Sequence, residues 1–185
     1  MKQLYHRHGL GQFLLDLGLL GEGVEVGCAY GGFSERILEQ WPGKKLHLVD
    51  PWVRQDPKVY RESTNHTADW NGWLENTKRL MARFGPRAEL HRMFSVQGAK
   101  LFQDGSLDFV YLDGNHSLEA VTEDLESWVP KIRSGGLVSG HDYGNLTADG
   151  NWCFVEQALS EWHKKHPISL FRAEGGCSSW YFFKE

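Results

Sequence analysis

Cysteine is scarce in this chain. Cys28, Cys153 and Cys177 are three of 185 residues, odd in number and widely spaced. They form neither a disulfide framework nor a metal-binding spacing, so a reducing, cytoplasmic setting is the default expectation. Long apolar runs are missing as well, and the longest fall far short of a membrane span. The opening stretch MKQLYHRHGLGQFLLDLGLLGEG places Asp16 inside its apolar half. Residues 1–22 therefore read as an amphipathic helix rather than a signal peptide. Excess positive charge is absent: 20 Lys and Arg face 24 Asp and Glu, for a net charge of −4. That argues against a nucleic-acid partner, which needs a basic footprint. There is no internal repeat, low-complexity tract or linker, so residues 1–185 read as one domain. The dinucleotide fingerprint G-x-G-x-x-G is also lacking, which counts against a pyrophosphate cradle.

What is present is an alternation of short apolar runs with helical patterns, the signature of a parallel sheet covered by helices. GVEVGCA, KKLHLVD, AELHRMFS, SLDFVYLD and GGLVSGHDY read as five successive strands. FSERILEQW, WLENTKRLMARFG, LEAVTEDLESWVPKI and WCFVEQALSEWHKKH read as helices; Leu118, Val121, Leu125 and Trp128 make one apolar stripe. ISLFRA and SSWYFFK close the chain as two strands joined by EGGC, too short for a crossover helix, so this pair is expected to be antiparallel. The expected fold is an α/β, Rossmann-like doubly wound sheet, mostly parallel with an antiparallel C-terminal pair. Residues 51–71 mix aromatics and charges with weak periodicity after a strand's carboxyl end. They read either as a lid or substrate loop or as an ordinary surface excursion.

The first strand runs into EVGCAYGG, Glu25 to Gly32, and the second ends on Asp50. A glycine turn admits close backbone approach, and an acid at the second strand's tip suits the hydroxyls of a ribose. This pattern resembles the class I S-adenosylmethionine-dependent methyltransferases, whose first motif is acid, any residue, glycine, three residues, glycine. Glu25, Gly27 and Gly31 match it, and Asp50 matches their second-strand acid. The resemblance implies a cofactor site drawing on Glu25, Gly27, Tyr30, Gly31, Asp50, Ser95 and Asp113. In it, Gly27 and Gly31 make room for the methionine moiety, Asp50 accepts the ribose hydroxyls and Ser95 touches the adenine. Trp52 either covers the adenine or packs in the core.

The fourth strand ends at Asp113 and the fifth at GHDY, Gly140 to Tyr143. Neighbouring strands lie about 5 Å apart, so Asp113 and Asp142 should face each other. Two carboxylates that close repel unless one is protonated or a cation lies between them. Oxygen ligands suit a hard cation, and a nitrogen from His141 or His116 shifts the preference towards transition metals. LDGNHSLEAVTEDLESWVPKIRSGGLVSGHDY resembles a bacterial subgroup of these methyltransferases, similar to metal-dependent small-molecule O-methyltransferases. That likeness implies a divalent metal, magnesium or manganese, on Asp113, His141 and Asp142. His116 is the candidate general base for a substrate hydroxyl. Against these stand an Asp113 that meets only the cofactor, a His116 that caps the following helix, and a His141 satisfied in the core. The other seven histidines carry no assigned role.

The expected activity is methyl transfer from S-adenosylmethionine to a small-molecule hydroxyl, with no membrane partner. The alternatives are a nicotinamide-dependent oxidoreductase and a non-catalytic nucleoside-binding domain. A homodimer through the N-terminal helix and exposed tryptophans fits the pattern without being required by it.

Overall fold

The computed structural model describes residues 3–62, 64–144, 153–173 and 179–185. Seven strands form one sheet: β1 (Glu22–Val26), β2 (Lys45–Asp50), β3 (Ala88–Arg92), β4 (Leu107–Leu112), β5 (Ile132–Gly140), β6 (Phe171–Arg172) and β7 (Trp180–Phe183). Their order is β3-β2-β1-β4-β5-β7-β6. The first five run parallel, and β7 pairs antiparallel with both β5 and β6. The expected α/β architecture is therefore present. The EGGC connection and Cys177 lie outside the described residues.

The helices are α1 (Leu10–Asp16), α2 (Gly32–Gln40), α3 (Thr64–Thr67), α4 (Trp70–Met81), α5 (Ser95–Ala99), α6 (Leu118–Trp128) and α7 (Val155–Lys165). Both faces of the sheet are covered, so its central strands are apolar on both sides. Leu46, Leu48, Phe109 and Tyr111 pack beneath α1, α2 and α4 with Leu10, Leu14, Ile37, Leu38 and Leu74. Val24, Val26, Val49, Val110 and Leu112 face α5, α6 and α7, meeting Leu125, Trp128 and Leu159. The period-2 alternation assigns each strand residue its face.

Three elements differ from the sequence reading. The N-terminal helix is short: a 3-10 turn at Arg7–Gly9 precedes α1, and the chain leaves the helix through Gly18 at φ +71°. The third strand stops at Arg92, and Ser95 begins α5 instead of ending a strand. Within residues 51–71 the chain forms α3 and enters α4, which is N-capped by Asp69 accepting from the Gly72 amide at 3.0 Å. Among the described residues no helix is long and apolar enough to cross a membrane.

Candidate active site

The carboxyl ends of β1, β2, β4 and β5 open onto a cleft of about 690 Å³. This is where the strand order reverses between β1 and β4, the usual ligand crevice of such sheets. Among the described residues, three non-glycines have positive φ, Ala29, Trp52 and Asp142, and each lies just past a strand tip at this rim. Such strain concentrates where surrounding structure holds a site in shape.

At the first turn, Gly27 lines the cleft and sits at φ +83°. A Cβ there would stand 2.1 Å from the Asp113 carbonyl oxygen, so the glycine is required for the close approach of the β1 and β4 tips. Gly31, also left-handed at φ +84°, is constrained from the other side: its Cβ would meet Thr77 of α4 at 2.9 Å. It caps α2 and does not face the cleft. Tyr30 does line the cleft, packed edge-on against Trp73. Asp50 lines it as well, with its carboxylate fixed by the Trp52 amide (2.7 Å) and the Ala29 amide (3.0 Å). Burial raises its pKa, and those backbone donors oppose the shift.

Two residues of the expected cofactor site lie outside the cleft lining, Trp52 taking the core alternative. Trp52 is fully buried and its indole donates to the Ala29 carbonyl at 2.7 Å, so it braces the glycine turn from within the core and covers nothing in the cleft. Glu25 is also buried beneath the cleft, outside its lining. Burial, reinforced by nearby Asp113, pushes its carboxyl up to about 8. An acid raised this way favours the fold when protonated. That contribution is full below its unfolded value of about 4.5 and is lost as pH rises through about 8. Glu25→Gln, an amide copy of the protonated acid, should therefore gain melting temperature over wild type progressively from pH 5 to pH 9. Parallel melting profiles across that range would contradict the burial argument.

At the far end of the cleft, the Ser95 hydroxyl donates to Asp124 and accepts from the Trp128 indole at 2.8 Å. Asp124, on α6, is buried and its carboxyl is raised to about 7, chiefly by that burial. Both Ser95 and Asp124 line the cleft. Asp124 escaped the sequence reading because its neighbours on α6 belong to an apolar stripe.

The tips of β4 and β5 carry the ionisable cluster. The parallel pairing of Leu112 with Gly140 sets Asp113 beside His141 and Asp142. His141 Nδ1 lies 3.0 Å from Asp142 Oδ1 and 3.7 Å from Asp113 Oδ1. His116 Nδ1 meets Glu62 Oε1 at 2.7 Å. Its Nε2 is buried, 3.2 Å from Asp142 Oδ2 and 3.5 Å from Asp113 Oδ1. Burial disfavours the imidazolium, but Asp113 and Glu62 outweigh it and hold the His116 pKa well above the ordinary range. The helix-capping alternative for His116 does not hold, since Ser117 Oγ caps α6 by accepting from Ala120 at 3.3 Å.

Two members of this cluster were not legible in the sequence. Arg7 Nη2 pairs with Asp113 Oδ2 at 2.9 Å while its guanidinium stacks on Phe33 at 4.3 Å. Glu62 arrives from the segment 51–71. They lie 106 and 54 residues from their partners, and no local pattern announces contacts at that separation. The donor set fits a divalent ion: one ligand atom each from Asp113, His141 and Asp142 lie within 4.8 Å of one another. Asp113 Oδ1 faces this set while Arg7 holds Oδ2.

Comparison with known proteins agrees with this geometry. A family model described as a methyltransferase domain matches residues 24–143, which span β1 through the tip of β5. An uncharacterised protein, y4gI, of Sinorhizobium fredii is 24% identical over 124 residues, covering 65% of this chain. The chain spans only 12% of that relative's length. The O-methyltransferase TomG of Streptomyces achromogenes, involved in tomaymycin synthesis and solved with S-adenosylmethionine, superposes with a TM-score of 0.62 at 15% identity. The match covers 97% of this chain and 80% of TomG. The N-methyltransferase NodS of Bradyrhizobium japonicum gives 0.62 at 16% identity, covering 95% of each chain. At these identities the structural likeness speaks for the fold.

Proposed function

The chain belongs to the methyltransferase domain family, and from that premise we propose that it transfers the methyl group of S-adenosylmethionine to a hydroxyl of a small molecule, assisted by a divalent metal. The observation that carries this reading is the meeting of Asp113, His116, His141 and Asp142 at the mouth of a cleft that has Asp50 on its floor. Asp50 would accept the two ribose hydroxyls, Ser95 and Asp124 would face the adenine, and Gly27 would let the cofactor approach the backbone.

The sulfonium supplies an already activated methyl group, so the protein has to align the acceptor oxygen and take its proton. Methyl transfer would break the S–CH3 bond and form an O–CH3 bond, and His116 Nε2 would take the hydroxyl proton. Glu62 orients the ring by accepting from Nδ1, leaving Nε2 as the exchanging nitrogen. Without an ion on Asp113, His141 and Asp142, the neighbouring Asp113 and Glu62 carboxylates keep His116 protonated, and it is no base. A divalent ion there would offset the Asp113 charge and polarise the acceptor oxygen. Arg7 holds Asp113 in place by its second oxygen. A small-molecule acceptor is supported by the net charge of −4, which disfavours a polyanion. The fold itself selects no acceptor.

The test is formation of S-adenosylhomocysteine from S-adenosylmethionine with a panel of polyhydroxylated acceptors, in chelated protein and with manganese or magnesium restored. Turnover should require the metal. His116→Asn should lower it by about 10²-fold or more while leaving S-adenosylmethionine affinity within a few-fold, as removal of a general base does. Full turnover in chelated protein would remove the metal from the reading, and full turnover in His116→Asn would remove the base.

A further inference from the structure

A second cluster of potential ligands lies away from the cleft, on strands β1 to β3. The pairing of His47 with Glu89 and of Val49 with His91 puts His47, Glu89 and His91 on one face of the sheet, the face that carries Val49. His47 Nδ1 is 3.0 Å from His91 Nε2, and His91 Nε2 is 3.8 Å from Glu89 Oε1. One ligand atom from each of the three residues falls within a 4.8 Å span. Both imidazoles are largely shielded, with 7% and 13% of their side chains exposed, while Glu89 is 46% exposed and open to solvent.

The outer partners are what turn this contact into a candidate site. His47 Nε2 lies 3.1 Å from Glu22 Oε2, and Glu22 is itself held by Lys44 at 2.6 Å. A carboxylate on one ring nitrogen fixes the proton there and leaves the other nitrogen as a lone-pair donor, the usual way a ligating histidine is oriented. That leaves the lone pair on His47 Nδ1, which accepts from His91 Nε2. Lys45 Nζ, 2.6 Å from Glu89 Oε2, similarly leaves Glu89 Oε1 turned towards the histidines. Phe102 closes the site edge-on against both rings.

We propose that His47, His91 and Glu89 bind a divalent transition metal, zinc being the best match to two imidazoles and one carboxylate. The ion would replace the proton between the two nitrogens, which would move to the His91 Nδ1 or to solvent. Zinc–nitrogen bonds of about 2.0–2.1 Å in a tetrahedral array need the nitrogens about 3.3 Å apart, so they part by about 0.3 Å. The site would bind edge strand β3 to β2 and so act on stability. It does not depend on the methyltransferase reading.

Cobalt(II) is the probe, because tetrahedral coordination gives it intense visible absorption. The titration is done on chelated Asp142→Ala protein, in which the cleft ligand set is broken. One equivalent should bind with tetrahedral bands, zinc should displace it, and saturating zinc should raise the melting temperature by several degrees. His91→Gln should abolish the bands. Glu89→Gln, at a solvent-exposed position that folding tolerates, should weaken binding about tenfold or more. No bands in Asp142→Ala protein, or bands unchanged in both Glu89→Gln and His91→Gln, would overturn the proposal.

Discussion

Gly27→Ala is expected to destabilise the protein by about 2–5 kcal/mol and to abolish binding in the cleft. A left-handed residue with a Cβ costs about 1–2 kcal/mol, and overpacking adds about 1–3 kcal/mol. The contact here is with backbone: 2.1 Å to the Asp113 carbonyl oxygen and 2.7 Å to the Gly114 Cα. No side chain can swing aside, so the tips of β1 and β4 must separate, and Asp113 leaves Arg7 and His116 as they do. Against a total stability of about 5–15 kcal/mol this is a large loss. Gly9→Ala is the control, since a Cβ there meets nothing within 4 Å and φ is −96°. Denaturant melts of the two variants measure the difference. Equal stabilities would show that the strand tips are not locked as described.

Asp50→Ala should weaken S-adenosylmethionine binding by about 10²–10⁴-fold. Hydrogen bonds to a charged acceptor contribute about 1.5–3 kcal/mol each, and two ribose hydroxyls would share this carboxylate. The same change orphans the Ala29 and Trp52 amides, so a lower melting temperature accompanies it. Asp50→Asn separates the two effects, because it keeps one oxygen for the backbone while losing the charge. Its melting temperature should recover more than its affinity. An Asp50→Ala protein that binds within threefold of wild type would move the ribose elsewhere in the cleft.

Much of the fold was written in local pattern. Leu46 and Leu48 pack on one face and Val49 on the other, and a nearly continuous apolar run is what two covered faces demand. The short link between the last two strands correctly implied their antiparallel pairing. Helix α5 was not legible because five residues make little more than one turn and leave no period to detect. The candidate site divides in the same way. Asp50, Asp113, His116 and Asp142 stand at strand ends, where sequence position alone predicts exposure to a crevice, and all four line it. Trp52 could be read either way, and its indole bond to Ala29 decides for the core. Arg7 and Glu62 depend on where the N-terminus and the segment 51–71 fold back. That is a property of the whole topology.

The most direct test of the account is calorimetric titration of the chelated protein with S-adenosylmethionine, with NAD as the competing ligand. The account predicts binding of S-adenosylmethionine at one site per chain, lost in Asp50→Ala, and no binding of NAD. Binding of NAD with none of S-adenosylmethionine would contradict it.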